Sequence, residues 1–225
     1  MGKAIGDILP YALAAAISVV PIIAIILMLV SPKAKTNATG FAVGYVFGFA
    51  VVVTVVLLLA AGSNYSSGSG PSQTVSVVQL LLGILLLVAA AGEWRKRPRA
   101  GERPELPKWM STIDAFTAGK SALVGLVLSA VNPKNLAMSA AAGLAIAQAE
   151  ISTGQEVGAA IIYVLLGSAT VLGPVVVYLV EQDRAARILG EWRVWLADNN
   201  AVLTGLLLLV FAVVLIGKGI SGLSS

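Results

Sequence analysis

The sequence predicts an all-α integral membrane protein: six transmembrane helices forming two inverted three-helix repeats, with spans one and four interrupted at proline. Three observations predict it. Hydrophobic residues make up 58% of the chain and charged residues 12%, which is the composition of a polytopic membrane protein. Lysine and arginine fall in alternate loops. Prolines also interrupt two apolar runs, at Pro21 and at Asn132-Pro133-Lys134-Asn135. The whole of 1–225 reads as one transmembrane domain, with a first repeat over 1–92, a basic loop over 93–120 and a second repeat over 121–225.

A span needs about 20 apolar residues, and six stretches qualify: Ile8–Val30, Gly40–Ala61, Thr74–Gly92, Ser121–Ala149, Val157–Val180 and Asn199–Ile220. The first is too long for a signal peptide, carries Pro10 and Pro21, and has its lysines after the apolar run, so it reads as a retained helix. Asp7 suits its N-terminal end, where a negative charge complements the helix dipole. Span two carries Gly40, Gly44 and Gly48 on one face, a small-residue stripe that lets helices approach closely. The stripe fits internal packing, or a homodimer. The stretch Ser63–Gln73 is Gly/Ser-rich and uncharged, a flexible connector. Pro174 predicts a kink in span five. Between spans five and six, Ala185, Ile188, Leu189, Trp192, Trp195 and Leu196 follow helical spacing, which predicts a short amphipathic helix on the inner leaflet.

Orientation follows from the cations. Loops one, three and five hold Lys33, Lys35, Arg95, Lys96, Arg97, Arg99, Arg103, Lys108, Lys120, Arg184, Arg187 and Arg193; loops two and four hold none. The positive-inside rule then predicts a multi-pass protein with both termini outside and the three basic loops in the cytoplasm. The basic segment Arg95–Lys108 suits that topology and would also attract anionic lipid heads. Trp94, Trp109, Trp192 and Trp195 all lie in these loops, where amphipathic rings anchor at headgroup level.

The two halves resemble each other. Thr39-Gly40 opens the second span and Thr153-Gly154 the fifth, an offset of 114 residues, and Pro21 and Pro133 are 112 apart. Ser18 precedes Pro21 as Ser129 precedes Pro133. A duplicated three-helix unit must enter the membrane upside down, and broken helices in matching positions point to a transporter's central site.

Lys134 is the only formal charge near the middle of span four. A lysine there costs a few kcal/mol unless it meets a partner, a cavity or water. Proline breaks the helix at the same place, and irregular backbone survives at membrane depth only where protein buries it or water solvates it. The candidate substrate-binding residues are Asn132, Pro133, Lys134 and Asn135, with Ser129, and with Ser18 and Pro21 from the first half. Asp114 and Lys120 stand at the cytoplasmic entrance to span four. The ammonium would attract phosphate, sulfate or carboxylate, with the two asparagines as neutral donors. It would repel a cation, which favours anionic or zwitterionic cargo. The competing reading makes Lys134 a structural partner of carbonyls freed at the break.

The stretches Pro107-Lys108-Trp109-Met110-Ser111-Thr112-Ile113-Asp114-Ala115-Phe116-Thr117 and Leu128-Ser129-Ala130-Val131-Asn132-Pro133-Lys134-Asn135-Leu136 resemble the Gap/Sap family, as do Ile22–Pro32 and Ala201–Leu223. These are glycolipid- and sulfolipid-addressing proteins of actinobacteria, within the lysine-exporter superfamily. The resemblance implies a six-helix inner-membrane protein that helps move envelope lipids outward. The chain departs from the pattern at Ala118, where a proline is expected.

The expected function is export of a glycolipid or other anionic or amphiphilic envelope lipid by alternating access, with membrane lipids and the substrate as partners. The rivals are export of a small soluble metabolite of amino-acid type, and a non-transporting accessory subunit of a lipid-export or synthesis complex. With no histidine and no cysteine, and no carboxylate pair at membrane depth, the sequence predicts no enzyme, no cofactor and no metal. The cations sit beside apolar spans, which predicts no nucleic-acid partner.

Overall fold

The computed structural model describes residues 1–62, 73–95 and 108–224. Within them the chain is helical, without strands: α1 (Gly2–Ala16), α2 (Val19–Leu29), α3 (Ala34–Gly62), α4 (Gln73–Arg95), a 3₁₀ segment (Lys108–Ala115), α5 (Ala118–Ala130), α6 (Pro133–Ala147), α7 (Thr153–Val180) and α8 (Gln182–Leu223). Four helices, in α3, α4, α7 and α8, are long and apolar enough to cross a membrane. The pair α1 and α2, bent by 55° at its break, has the length and apolar character of a fifth if it is taken as one broken span. The region of the fourth expected span holds two helices, α5 of 13 residues and α6 of 15, each too short to cross alone. Outer faces are apolar, with Leu59 69% and Val180 77% exposed, so the described helices form a membrane protein whose exterior suits lipid.

The centre is α2. Nine of its 11 residues are buried, as expected of a helix apolar all round. It packs against α3, α7, α8 and the 3₁₀ segment, whose Met110 and Ile113, with the following Phe116, join the core. Asn37 Nδ2 of α3 donates to Phe116 O at 3.3 Å, and Trp109 stacks on Phe116 with ring centroids 6.4 Å apart.

The glycine stripe of span two packs inside the chain. A Cβ at Gly40 would sit 2.5 Å from Ala118 O, one at Gly44 would collide with Ala122 O, and one at Gly48 with Ser129 Oγ. Gly125 of α5 faces Phe41 O and Tyr45 N in return. Backbone meets backbone at Gly40, Gly44 and Gly125 of the α3–α5 contact, and Gly48 makes room for the Ser129 side chain. The α4–α8 contact is built likewise, with Gly83 against Ile216 and Gly219 against Ser76 O and Leu80.

Several expectations change. Span one breaks at Ile17–Ser18, not at Pro21. Pro21 is the third residue of α2, where a missing N–H removes no intrahelical bond, so it fits the first turn. Ala118, in place of the expected proline, is the first residue of α5 after the N-cap Thr117, a position that favours proline without requiring it. Pro174 lies inside α7 without ending it. The stretch 185–196 is not a separate surface helix, because no glycine or proline interrupts the chain from Glu191 to Ala201 and its backbone continues into α8. The side chains of Arg184, Arg187, Trp192, Arg193 and Trp195, and the segments 63–72 and 96–107, lie outside the described residues.

Candidate functional site

Two helix breaks meet at the site. In the second, Val131 caps α5 and Asn132 caps α6: Asn132 Oδ1 accepts from the Lys134 backbone N–H at 3.0 Å. Pro133 takes the first helical position, where its missing donor would have been unpaired anyway. That geometry puts Lys134 and Asn135 on the first turn of α6, buried at 6% and 0% exposure.

The first break leaves α1 with C-terminal carbonyls that α1 itself cannot satisfy. All of them are nevertheless paired. Lys134 Nζ donates to Ala14 O at 2.6 Å and to Ile17 O at 2.8 Å. Ser18 Oγ shares its one proton between Ala15 O at 2.9 Å and Asn135 Oδ1 at 2.8 Å. Ala16 O accepts from the Ser18 N–H at 2.8 Å and from Thr170 Oγ1 of α7. The Lys134 amine thus caps the carbonyl end of α1, where the helix dipole favours positive charge.

Asn135 joins the same crossing. Its Oδ1 accepts from Ser18 Oγ at 2.8 Å, and its Nδ2 donates to Leu128 O at 3.0 Å and to Tyr45 Oη at 3.3 Å. Tyr45 belongs to an aromatic run in which Phe41, Tyr45 and Phe49 of α3 lead to Tyr163 of α7, with centroids 5.9, 5.0 and 6.0 Å apart. Tyr163 Oη and Ser139 Oγ share a hydrogen bond of 3.1 Å. Every polar side chain of this crossing answers another protein group, which is how a buried polar cluster becomes tolerable.

The structure brings together Ser18, Asn132, Lys134 and Asn135. Pro21 and Pro133 position them, Pro133 from an exposed place on the turn. Ser129 is buried, but its Oγ shares its one proton between Gly125 O and Leu126 O and faces Gly48, so it serves the α3–α5 contact. Asp114 and Lys120 are exposed, and they lie at the far end of α5 from Lys134, about 20 Å away along a 13-residue helix. Lys120 Nζ sits over the Phe116 ring at 4.4 Å. Neither belongs to the crossing. Sequence reasoning missed Tyr45, Thr170, Ser139 and Tyr163. Their only signal was a lone hydroxyl within an apolar span.

Among the described residues no three of His, Cys, Asp and Glu come together. The arrangement holds a buried lysine amine on two backbone carbonyls, with no carboxylate among its described partners. No curated protein and no solved structure matches the chain. The family described as Sap, sulfolipid-1-addressing protein, matches residues 8–221, nearly the entire chain, and the protein belongs to that family.

Proposed function

We propose that this protein exports, or helps to export, a glycolipid or other anionic or amphiphilic lipid from the inner membrane towards the cell envelope. The observation that carries the reading is the Lys134 amine, buried where two broken helices cross and answered, among the described residues, by backbone carbonyls. Membership of a sulfolipid-addressing family agrees with such a cargo.

In this reading α1 with α2 and α5 with α6 are spans one and four of six, both termini lie outside, and the halves are inverted repeats. Reciprocal packing supports it: α3 packs on α5 as α7 does on α1, α3 on α6 as α7 on α2, and α4 on α6 as α8 on α2. An anionic head group entering between the halves would pair with Lys134 and draw it from Ala14 O and Ile17 O. The end of α1 would then be released, and one repeat could rock against the other. The acyl chains would travel along the apolar exterior.

Untargeted mass spectrometry of surface-extractable, whole-cell and medium fractions tests the function. In a deletion strain an envelope lipid is expected to leave the surface and accumulate inside, and the intact gene is expected to restore it. A shift confined to a soluble metabolite would favour the small-molecule exporter. Unchanged fractions would reject export altogether.

A further inference from the structure

The Lys134 ammonium occupies a place built from backbone. Its two oxygen partners, Ala14 O and Ile17 O, are the C-terminal end of a helix broken at Ile17–Ser18. Their sequence separations from Lys134 are 120 and 117 residues. Half-helix C-termini with unwound carbonyls are the groups that hold dissolved cations in transporters with broken helices. Here the cation arrives on a side chain instead. The remaining carbonyls, of Ala15 and Ala16, are already satisfied by Ser18 and Thr170, which leaves two oxygens for the cation. A hard metal ion takes six or more oxygens, whereas an ammonium is served by a few directed hydrogen bonds.

We propose that the C-terminal end of α1 is a seat for a primary ammonium, which the chain fills with its own Lys134 and which accepts a free small alkylammonium when that side chain is shortened. The seat is independent of the lipid reading, because it concerns only what holds the two breaks together. It also implies that the wild-type crossing draws its cation from the chain and needs none from solution.

The test is thermal unfolding of the full chain in lipid nanodiscs. Lys134→Ala removes the side chain beyond Cβ, and n-propylammonium carries the same carbons and nitrogen. Lys134→Ala is expected to lower the Tm by roughly 5 °C, from carbonyls left unpaired. Titrating n-propylammonium should raise it again in a saturable way, while leaving wild type unmoved. Tetramethylammonium, which has the charge but no N–H, should do nothing at matched ionic strength. Equal recovery with tetramethylammonium would overturn the proposal as a salt effect, and equal recovery with sodium would overturn the ammonium assignment. A Tm for Lys134→Ala equal to wild type would overturn the seat itself. Should Lys134→Ala fail to accumulate, Lys134→Met keeps the unbranched apolar stem as far as Cε and lacks the terminal donor. A lowered Tm that n-propylammonium cannot restore, because the methionine fills the seat, supports the proposal; wild-type stability in that variant overturns it.

Discussion

Gly44→Val is expected to destabilise the protein by about 3 kcal/mol, the upper end of what overpacking costs. A Cβ at this position runs into the carbonyl of Ala122, with the Ala122 Cα and C also inside 3.0 Å. Backbone cannot rotate aside as a flexible side chain does, so α3 and α5 must separate. Separation would also loosen Gly40 against Ala118 and Gly125 against Phe41, because all lie on the same contact. Gly217→Val is the control, since nothing lies within 4 Å of a Cβ there, and its cost is expected within about 0.5 kcal/mol of zero. Thermal unfolding and membrane abundance of the two variants check the comparison. If Gly44→Val and Gly217→Val behave alike, the α3–α5 contact is wrong.

Asn135→Leu is expected to cost about 3 kcal/mol through orphaned polar groups rather than lost volume. Asn135 is fully buried, and its amide answers Ser18 Oγ, Tyr45 Oη and Leu128 O at once. Leucine fills much the same space but leaves the Leu128 carbonyl without its partner and takes one of two partners, Asn135 and Ser18, from the tyrosine hydroxyl. Ser18 keeps its bond to Ala15 O, so Ser18→Ala alone is expected to cost less, about 1 kcal/mol. A double-mutant cycle between the two isolates the bond that joins the breaks, with an expected coupling of about 1 kcal/mol. Strict additivity would mean that Ser18 and Asn135 do not meet.

Much of this architecture was legible in the sequence, and the reasons are local. Apolar length marks a span wherever it occurs, so the helical membrane class followed from Ile8–Val30 and its successors. Asn132 before Pro133 is a helix-start signal in its own right, since asparagine caps and proline suits the first turn, and the second break falls there. The glycine stripe marked a close helix contact, although only the structure identifies α5 as the partner. The first break was misplaced because Ile17-Ser18 contains no breaker. The chain parts there because Ser18, Thr170 and Lys134 satisfy the carbonyls that the parting releases, and two of those three are distant in sequence. Lys134 stood out as a charge, but its partners did not, because every residue carries a carbonyl and periodicity cannot say which one a lysine reaches. Asp114 and Lys120 attracted attention as charges near span four. They lie at the opposite end of α5, where exposure makes a charge unremarkable.

The central claim, that an anionic lipid leaves the inner membrane by way of Lys134, is tested most directly by comparing surface and internal lipid pools in deletion strains. The strains would carry wild type, Lys134→Arg or Lys134→Ala at equal membrane abundance. Arginine keeps the charge with a different donor geometry. The account predicts that Lys134→Ala leaves the exported lipid inside the cell, with surface lipid at least roughly tenfold lower for a loss of about 1.4 kcal/mol or more in the rate-limiting step. Lys134→Arg should retain part of the export. Normal surface lipid in Lys134→Ala cells at equal abundance would contradict the claim and leave Lys134 a brace between two helices.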